Sequence, residues 1–294
     1  MVSKTSFKRG WNVYMTLLSL VGVVALFVPL DSLIGNSYTL PCKIVAISIW
    51  LFVIYIITHI IVFGFFRVKA KFTRKVLITP LNNGKNLYVI FGDLLDNTIT
   101  VQEEISNIVI PFNRCFDTRV DNSLISAKSL HGQIVKKLIN SGKYSEETLH
   151  QKIEESLSRP WQDHYVPEIM DKKIGYKKRY PIGAVASVDG IHNERYLCFG
   201  LSKFNQETAE TTKREYVEAV EHLTERIADI SQGYPVYMPL IGTGLSRIGI
   251  NDKLALKTII NMIDLNRQNI CSDIYIVVNP KLKESLLSMI ENHE

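Results

Sequence analysis

Two glycine-containing turns stand where phosphate groups could be held. The segment Pro239–Arg247 reads PLIGTGLSR after an apolar run, and SLHG at 129–132 opens an amphipathic stretch. Glycines after a strand let backbone N–H groups converge on an anion, and the following helix contributes the positive end of its dipole. A plain turn has the same composition, so each turn alone is weak evidence. Together they predict a diphosphate site with contacts from Ser129, Leu130, His131, Gly132, Gly242, Thr243, Gly244, Leu245, Ser246 and Arg247.

Polar residues also follow two other apolar runs. Gly92 and Asp93 end one run and Asn113 ends the next. A carboxylate at a strand end accepts hydrogen bonds from an exocyclic amine, but it also caps a turn, and both interpretations of Asp93 stay open. His131 is equally a catalytic base, a neighbour of the ligand or a structural hydrogen-bonding group. Arg247 is either a bidentate phosphate donor or a surface residue.

The same ambiguity holds for Asp117 and Thr118, which follow Asn113 closely. They could bind a ribose hydroxyl, or they could form a local side-chain-to-backbone turn. The four cysteines are far apart and form no CxxC pair, which favours a reducing compartment and predicts neither disulfides nor a metal site. No nucleophile–base pair is legible, so we predict no catalytic residue.

The elements that must position these residues are short apolar runs alternating with amphipathic ones. Several runs are continuous, as in strands covered on both faces. Helical spacing recurs over 213–231 and 252–266, the latter with Asn251 or Asp252 as its cap, and 141–179 resembles a polar insertion. The pattern predicts an α/β layered sandwich with a largely parallel sheet, and ligands beyond the carboxyl ends of its strands. The predicted strands are 86–93, 107–113, 183–188, 195–204, 234–242 and 273–279.

The amino-terminal part of the chain is apolar. Runs at about 13–30 and 44–66 are long enough to predict a two-helix transmembrane hairpin. Lysines and arginines flank the hairpin on both sides but are missing from 31–41, which predicts a multi-pass protein of the inner or plasma membrane with both termini cytoplasmic. The predicted organisation is a tail (1–10), two helices within 11–66, a basic linker (67–85) and a ligand-binding domain (86–294).

Charge gives little support for a nucleic-acid partner. The formal net charge of the 294 residues is +5, and several positive residues flank the apolar runs. The basic stretch Lys172–Arg179 is the one concentrated patch, and we interpret it as a solvated, flexible loop rather than a nucleic-acid footprint.

The order of these segments resembles the macro domain, an ADP-ribose-binding module. An apolar strand with Gly-Asp, a strand with Asn, a glycine turn before a helix, PIGAVAS at 181–187 and a strand with PLIGTG follow one another over 86–294. PFNRCFDT, SLHGQ, PIGAVASV and PLIGTGLSR are similar to a bacterial branch fused to two transmembrane helices, the effector of Thoeris anti-phage systems. The resemblance implies a macro-like three-layer α/β/α sandwich with a mixed, largely parallel sheet.

The resemblance also implies roles for residues. Asp93 would hold the adenine amino group in a pocket shaped by Gly92 and Leu94, and Asn279 would cover the adenine face. Asn113 would lie near the distal ribose, and the two glycine turns would clamp the diphosphate. Ser187 closes the PIGAVAS motif and belongs to the same predicted ligand-binding set. The chain lacks the Asn-Ala-Ala-Asn segment and triple-glycine turn of ordinary macro domains, which implies a rebuilt distal pocket suited to a conjugated ligand.

The function that the resemblance implies is that of a membrane effector without catalytic activity. It would bind an ADP-ribose derivative, histidine-ADP-ribose made by a TIR-domain protein, then form a homo-oligomer, disrupt the lipid bilayer and cause abortive cell death. No cofactor, metal or nucleic acid is expected. Two alternatives stay open: a membrane-anchored ADP-ribosyl hydrolase or phosphatase, and a macro-domain scaffold for a partner.

Overall fold

A computed structural model describes residues 11–18, 40–72, 74–96, 99, 104–159, 165–172, 174–205, 208–242 and 248–290. The chain divides into two compact units, one of residues 1–73 with 284–294 and the other of residues 74–283. Helices in the order of the chain are α1 (11–18), α2 (Leu40–Phe72), α3 (Leu130–Asn140), α4 (Glu146–Leu157), α5 (Lys213–Ile230), α6 (Asp252–Leu265) and α7 (Lys283–Ile290).

In the first unit, α1 and α2 meet along an aromatic seam. The ring of Tyr55 lies edge-on to Tyr14, with 5.0 Å between centroids, and 4.3 Å from the ring of His59. Thr58 is buried beside them and donates a hydrogen bond to the carbonyl of Ile54. The rest of α2 exposes large apolar side chains, among them Val45, Ile49, Trp50, Phe52, Val53, Ile56, Ile57, Ile60, Ile61 and Phe63.

Within the described residues, we found no helix with the length and apolar composition that a membrane crossing requires. The transmembrane hairpin predicted from the sequence is therefore not supported. Most of its first predicted helix, together with the predicted tail 1–10, lies outside the described residues.

The second unit is built on one large mixed sheet. Its strands are β1 (Lys75–Pro80), β2 (Asn86–Phe91), β3 (Ser106–Asn113), β6 (Val185–Asp189), β7 (Glu194–Asn205), β8 (Thr208–Glu210), β9 (Val236–Pro239) and β10 (Ile274–Val278), while β4 (Glu168–Ile169) and β5 (Lys178–Arg179) form a separate small pair. The spatial order is β1-β2-β10-β9-β3-β7-β6, and β8 pairs with β7. The five strands from β2 to β7 are parallel, and β1, β6 and β8 are antiparallel to their neighbours.

Helices cover both faces of this sheet. On one face, α3 and α4 pack on a core that includes Ile108, Phe112 and Tyr196. Alternate strand residues such as Val109 and Met238 point to the other face, where α5 and α6 bury their apolar stripes. The predicted three-layer sandwich with a largely parallel sheet is therefore what the chain forms.

The six predicted strands are all present with bounds shifted by a few residues, and β1, β4, β5 and β8 are additions. The predicted basic linker 67–85 holds the end of α2 and the whole of β1. Val76 and Ile78 of β1 are partly covered and Leu77 between them is exposed, the alternation of an edge strand with one covered face. Asn251 caps α6 as predicted, its Oδ1 accepting a hydrogen bond from the Leu254 amide.

Candidate functional site

The carboxyl ends of the five parallel strands meet at one edge of the sheet, which is where α/β folds bind ligands. Four of the predicted ligand-binding residues lie at these ends or within three residues beyond them. Gly92 follows β2, Asn279 follows β10, Gly242 follows β9 and Asn113 ends β3. We call this side of the sheet the carboxyl edge.

Asp93 lies exposed at the tip of β2. Its Oδ1 accepts a hydrogen bond from the Leu95 amide at 3.1 Å, so the side chain does cap a turn. The Leu95 amide thereby fixes the position of one carboxylate oxygen, and the turn keeps the Asp93 carboxylate at the surface of the carboxyl edge. Leu94 beside it is buried in the core, and the amide of Gly92 is bonded to the carbonyl of Val278 in β10.

Asn113 is buried, and its side chain organises the turn that follows β3. Its Oδ1 accepts from the amides of Cys115 and Asp117 at 3.2 Å each, and its Nδ2 donates to Asp117 Oδ2 at 3.1 Å. The amide group therefore shapes the turn near the predicted distal ribose and is already engaged in hydrogen bonds there.

Asp117 is the centre of a buried network that joins this turn to a distant segment. Its carboxylate accepts from the Tyr176 amide at 2.6 Å and pairs with the Lys172 ammonium at 3.2 Å. The Tyr176 hydroxyl is 3.1 Å from the Thr118 hydroxyl, and its ring stacks on His150 at 3.3 Å. Lys172 and Tyr176 are thus held by these contacts, and the prediction of a solvated, flexible loop was wrong for these two residues, whereas Ile174 and Lys177 are exposed.

Sequence reasoning did not find this role for Lys172 and Tyr176. Their partner Asp117 lies 55 and 59 positions away, and nothing local marks the pairing. The available signal was the glycine between them: a Cβ at Gly175, whose φ is +82°, would lie 2.4 Å from Asp117 Oδ1. Only glycine lets the backbone approach the carboxylate so closely.

His131 is buried in the first turn of α3. Its Nε2 lies 2.9 Å from the carbonyl of Asp117, and its ring packs on Phe112 with 3.6 Å between centroids. Burial disfavours the charged imidazolium and lowers the pKa of His131 to about 3. The imidazole is therefore neutral near pH 7, with Nε2–H donating to the carbonyl, as in the structural interpretation of this residue.

Ser129 is the N-cap of α3. Its Oγ accepts from the Gly132 amide at 3.0 Å and donates to the carbonyl of Ser126 at 2.7 Å. A Cβ at Gly132 would lie 2.2 Å from that same carbonyl oxygen. The first glycine turn is thus a tightly packed helix cap, and the Gly132 amide in it already donates to Ser129 Oγ. Leu130 follows the cap and packs partly buried on the core.

The second glycine turn leaves β9 at Ile241 and Gly242. Gly242 has φ +95°, and a Cβ there would lie 2.9 Å from the ring of Tyr216, whose hydroxyl donates to the Ile241 carbonyl at 3.1 Å. The chain is described again from Ile248, which is buried. The predicted phosphate contacts Thr243, Gly244, Leu245, Ser246 and Arg247 lie outside the described residues.

Asn279 and Ser187 complete the predicted set. Asn279 is exposed beyond β10, and its Oδ1 accepts from the Lys281 amide at 3.0 Å. Ser187 is not at the carboxyl edge: it lies within the outermost strand β6, paired with Leu197, and lines a separate cavity. Among the described residues, no group of three or more His, Cys, Asp or Glu side chains is arranged to hold a metal ion.

Comparison with known proteins identifies a family. The family model described as "Thoeris protein ThsA, Macro domain" matches residues 87–279. The curated Thoeris protein ThsA of Bacillus amyloliquefaciens (strain Y2) is 28% identical over 153 residues, which are 50% of this chain and 48% of that protein. The chain therefore aligns with about half the length of this relative.

Two solved macrodomains match this chain at low identity. A variant of the Oceanobacillus iheyensis macrodomain with ADPR is 14% identical, with a TM-score of 0.49, over 74% of this chain and 97% of that one. The macrodomain of Mycobacterium tuberculosis DarG is also 14% identical, with a TM-score of 0.38, over 64% and 97%. At these TM-scores the two structures add nothing to the family match.

Proposed function

The chain belongs to the family of the Thoeris protein ThsA macro domain, and from this premise we propose that its α/β unit is a receptor for an ADP-ribose-type nucleotide. In this proposal the ligand lies along the carboxyl edge of the sheet. The role of the α/β unit is to bind the ligand and not to convert it. The proposed messenger is a conjugate of ADP-ribose, histidine-ADP-ribose made by a TIR-domain enzyme. It signals in bacterial anti-phage defence.

The observation that carries this proposal is the order of the strands. Asp93 follows β2, Asn279 follows β10, Gly242 follows β9 and Asn113 ends β3, and these strands are consecutive neighbours in space. The predicted subsites for adenine amine, adenine face, diphosphate and distal ribose thus lie in the order of the groups in ADP-ribose. Four strand tips span about 14 Å, a length suited to an extended molecule of adenosine, diphosphate and ribose.

Asp93 provides the sharpest test because its two carboxylate oxygens accept hydrogen bonds from different donors in this proposal. Oδ1 accepts from the Leu95 amide, which leaves Oδ2 to receive the adenine amino group. Asp93→Asn retains an Oδ1 for the turn but puts an amide donor where the amine must donate. A hydrogen bond to a charged group contributes about 1.5–3 kcal/mol, so affinity for ADP-ribose and its histidine conjugate should fall about 10- to 100-fold in calorimetric titration of the full chain.

The hypoxanthine analogue of each ligand, with a carbonyl in place of the amine, makes the test specific. Asp93→Asn should bind that analogue better than wild type does, because the new amide can donate to the carbonyl. Asp264→Asn is the matched control, since Asp264 is a half-exposed carboxylate of α6 that pairs with Arg267 in the turn after the helix. An unchanged preference between the two bases in Asp93→Asn would place the adenine elsewhere, and no heat with any ligand would remove the receptor proposal.

The state of His131 and Asn113 supports a binding role. A histidine whose pKa lies near 3 is a poor general base at neutral pH. Asn113 has its amide oxygen and nitrogen in hydrogen bonds that shape the turn. The proposal predicts that the ligand is recovered chemically unchanged after long incubation with the protein, whereas a hydrolase would convert it.

The first unit supports the proposal of a membrane effector. The face of α2 away from the aromatic seam exposes Trp50, Ile60 and Ile61 at 64–67% of their full areas. A contiguous apolar surface of this kind marks contact with lipid or with other chains. We propose that this face contacts the bilayer and that nucleotide binding favours an oligomer that disrupts it. Leakage of dye from vesicles carrying the protein should begin on addition of ligand, and vesicles that stay sealed while ligand binds would refute the effector role.

A further inference from the structure

A cavity lies in the α/β unit, away from the carboxyl edge. It has a volume of about 660 Å³ and lies where the outermost strand β6 meets the start of β7, α4 and the carboxyl end of α5. This volume is within the range of small-molecule sites, which is about 300–1,000 Å³. We call it the β6 cavity.

The β6 cavity is remote from the proposed nucleotide site. It is lined by Arg195 near the start of β7, whereas Ser202 of the same strand pairs with Asn113 at the carboxyl edge. Seven residues of a strand separate Arg195 from Ser202, which is about 23 Å. A ligand in the β6 cavity would therefore not touch the carboxyl edge.

The lining of the β6 cavity is rich in cationic and hydrogen-bonding groups. It contains Lys152, Arg159, Arg195, Arg226, Ser187 and Gln232. Among the described residues, the exposed guanidinium of Arg159 has no ion-pair partner and the Ser187 hydroxyl has no hydrogen-bond partner.

Three acidic residues also line the cavity, but two of them sit where they can be displaced. Asp229 pairs with Arg226 at 3.0 Å; its side chain is 64% exposed, whereas that of Arg226 is 7% exposed. Glu155 pairs with Lys152 at 2.6 Å, and both of these side chains are more than half exposed. The exposed Lys152–Glu155 pair contributes little to stability, so an incoming anion can replace Glu155 at small cost. Asp229 is itself mostly exposed, so its carboxylate can turn to solvent when an anion takes its place beside Arg226.

The backbone of β6 is not the ligand's target. As the outermost strand, β6 would expose unpaired groups, but the Ser187 amide donates to Ser156 Oγ at 2.8 Å and the Asp189 carbonyl accepts from the Tyr144 hydroxyl at 3.0 Å. These side chains block the addition of another strand, which is a common way to protect a sheet edge. What remains accessible in the cavity is the set of polar side chains.

We infer that the β6 cavity is a second ligand site, for a small polar molecule that carries a carboxylate or phosphate group. Arg195 is positioned for this role: its guanidinium is held by the Ile230 carbonyl at 3.4 Å and by Gln232 Oε1 at 3.0 Å. A fixed guanidinium is pre-organised to bind an oxyanion through two parallel hydrogen bonds. Arg226 and Arg159 supply further positive charge, and the Ser187 hydroxyl supplies a neutral donor.

The test is calorimetric titration of the full chain with four probes: inorganic phosphate, pyrophosphate, succinate and glutamate. Binding of phosphate or pyrophosphate would indicate recognition of a phosphate group, and binding of succinate or glutamate would indicate recognition of a carboxylate. We expect at least one probe to bind saturably with a dissociation constant in the millimolar range or lower. The double variant Arg159→Gln with Ser187→Ala should bind that probe about tenfold or more weakly. Arg267→Gln, at an exposed position just after the end of α6, is the control and should bind as wild type does.

Two further measurements keep the outcome decisive. Arg195→Lys retains the charge but loses the fork of donors, so it should also weaken binding while leaving the circular dichroism spectrum unchanged. An excess of ADP-ribose should leave probe binding intact, which separates this site from the proposed nucleotide receptor. No saturable binding of any probe, or binding that survives all the substitutions in the β6 cavity, would overturn the inference.

Discussion

The buried imidazole of His131 makes the stability of the α/β unit depend on pH. In the folded chain its pKa is lowered to about 3 by burial, whereas an unfolded chain has the ordinary value of 6.5. Below pH 6.5 the unfolded chain therefore binds a proton that the folded chain excludes. Stability from this group is fully present above pH 6.5 and is lost as the pH falls from there toward 3.

The size of the effect follows from the two pKa values. Between pH 7 and pH 5, the proton bound only by the unfolded state should lower the free energy of unfolding by about 2 kcal/mol. His131→Gln removes the titration and keeps an N–H donor within reach of the Asp117 carbonyl. Urea denaturation of the wild type and variant at both pH values, followed by circular dichroism, should show the variant losing about 2 kcal/mol less.

The control is His192→Asn, a change at an exposed position whose φ of 57° asparagine tolerates. This variant should retain the full dependence on pH. The partly buried His150, whose pKa burial also lowers, contributes equally to all three proteins and cancels in the comparison. If His131→Gln and wild type lose the same stability between pH 7 and 5, then His131 is solvated in the folded chain and is not buried in the first turn of α3.

Three further substitutions test the loops of the carboxyl edge by denaturation. Ser129→Ala removes the cap of α3 and should cost about 1 kcal/mol, or up to 2; a loss below 0.3 would mean that the cap is not formed. Gly132→Ala should prevent folding or destabilise far more, because its Cβ would lie 2.2 Å from the Ser126 carbonyl oxygen; near-wild-type stability would contradict the packing described. Lys172→Met leaves the buried Asp117 carboxylate without its cation and should cost about 3–5 kcal/mol; a neutral result would show that the pair is solvated.

The strands and main helices could be predicted from the sequence because their signals are local. Continuous apolar runs and spacings of three or four residues mark elements that are covered by other elements. β1 was missed for a physical reason: an edge strand has one covered face, so its six residues include only two inward apolar positions and merge with the basic segment before them. The order of the strands is not local, which is why Ser187 was grouped with residues from which the sheet separates it.

The convergence of these strand ends could be predicted from the sequence, but the contacts of their side chains could not. Apolar strands ending in glycine, aspartate or asparagine correctly indicated which loops converge at the carboxyl edge. What each side chain does there depends on backbone geometry that the sequence does not specify. Asn113 and Ser129 satisfy nearby backbone groups, and Asp117 bonds to residues more than 50 positions away.

These engaged side chains bear on how a receptor of this kind could act. Loops already held by Asn113, Asp117 and His131 need little ordering when a nucleotide binds, so less binding free energy is lost as entropy. A ligand shifts an equilibrium only by its difference in affinity between two states, and equal affinity shifts nothing. In the proposed effector that difference must therefore come from groups that are free to rearrange. Asp93 is an exposed residue of the carboxyl edge that could contribute it, which is a second reason to measure assembly as well as affinity in Asp93→Asn.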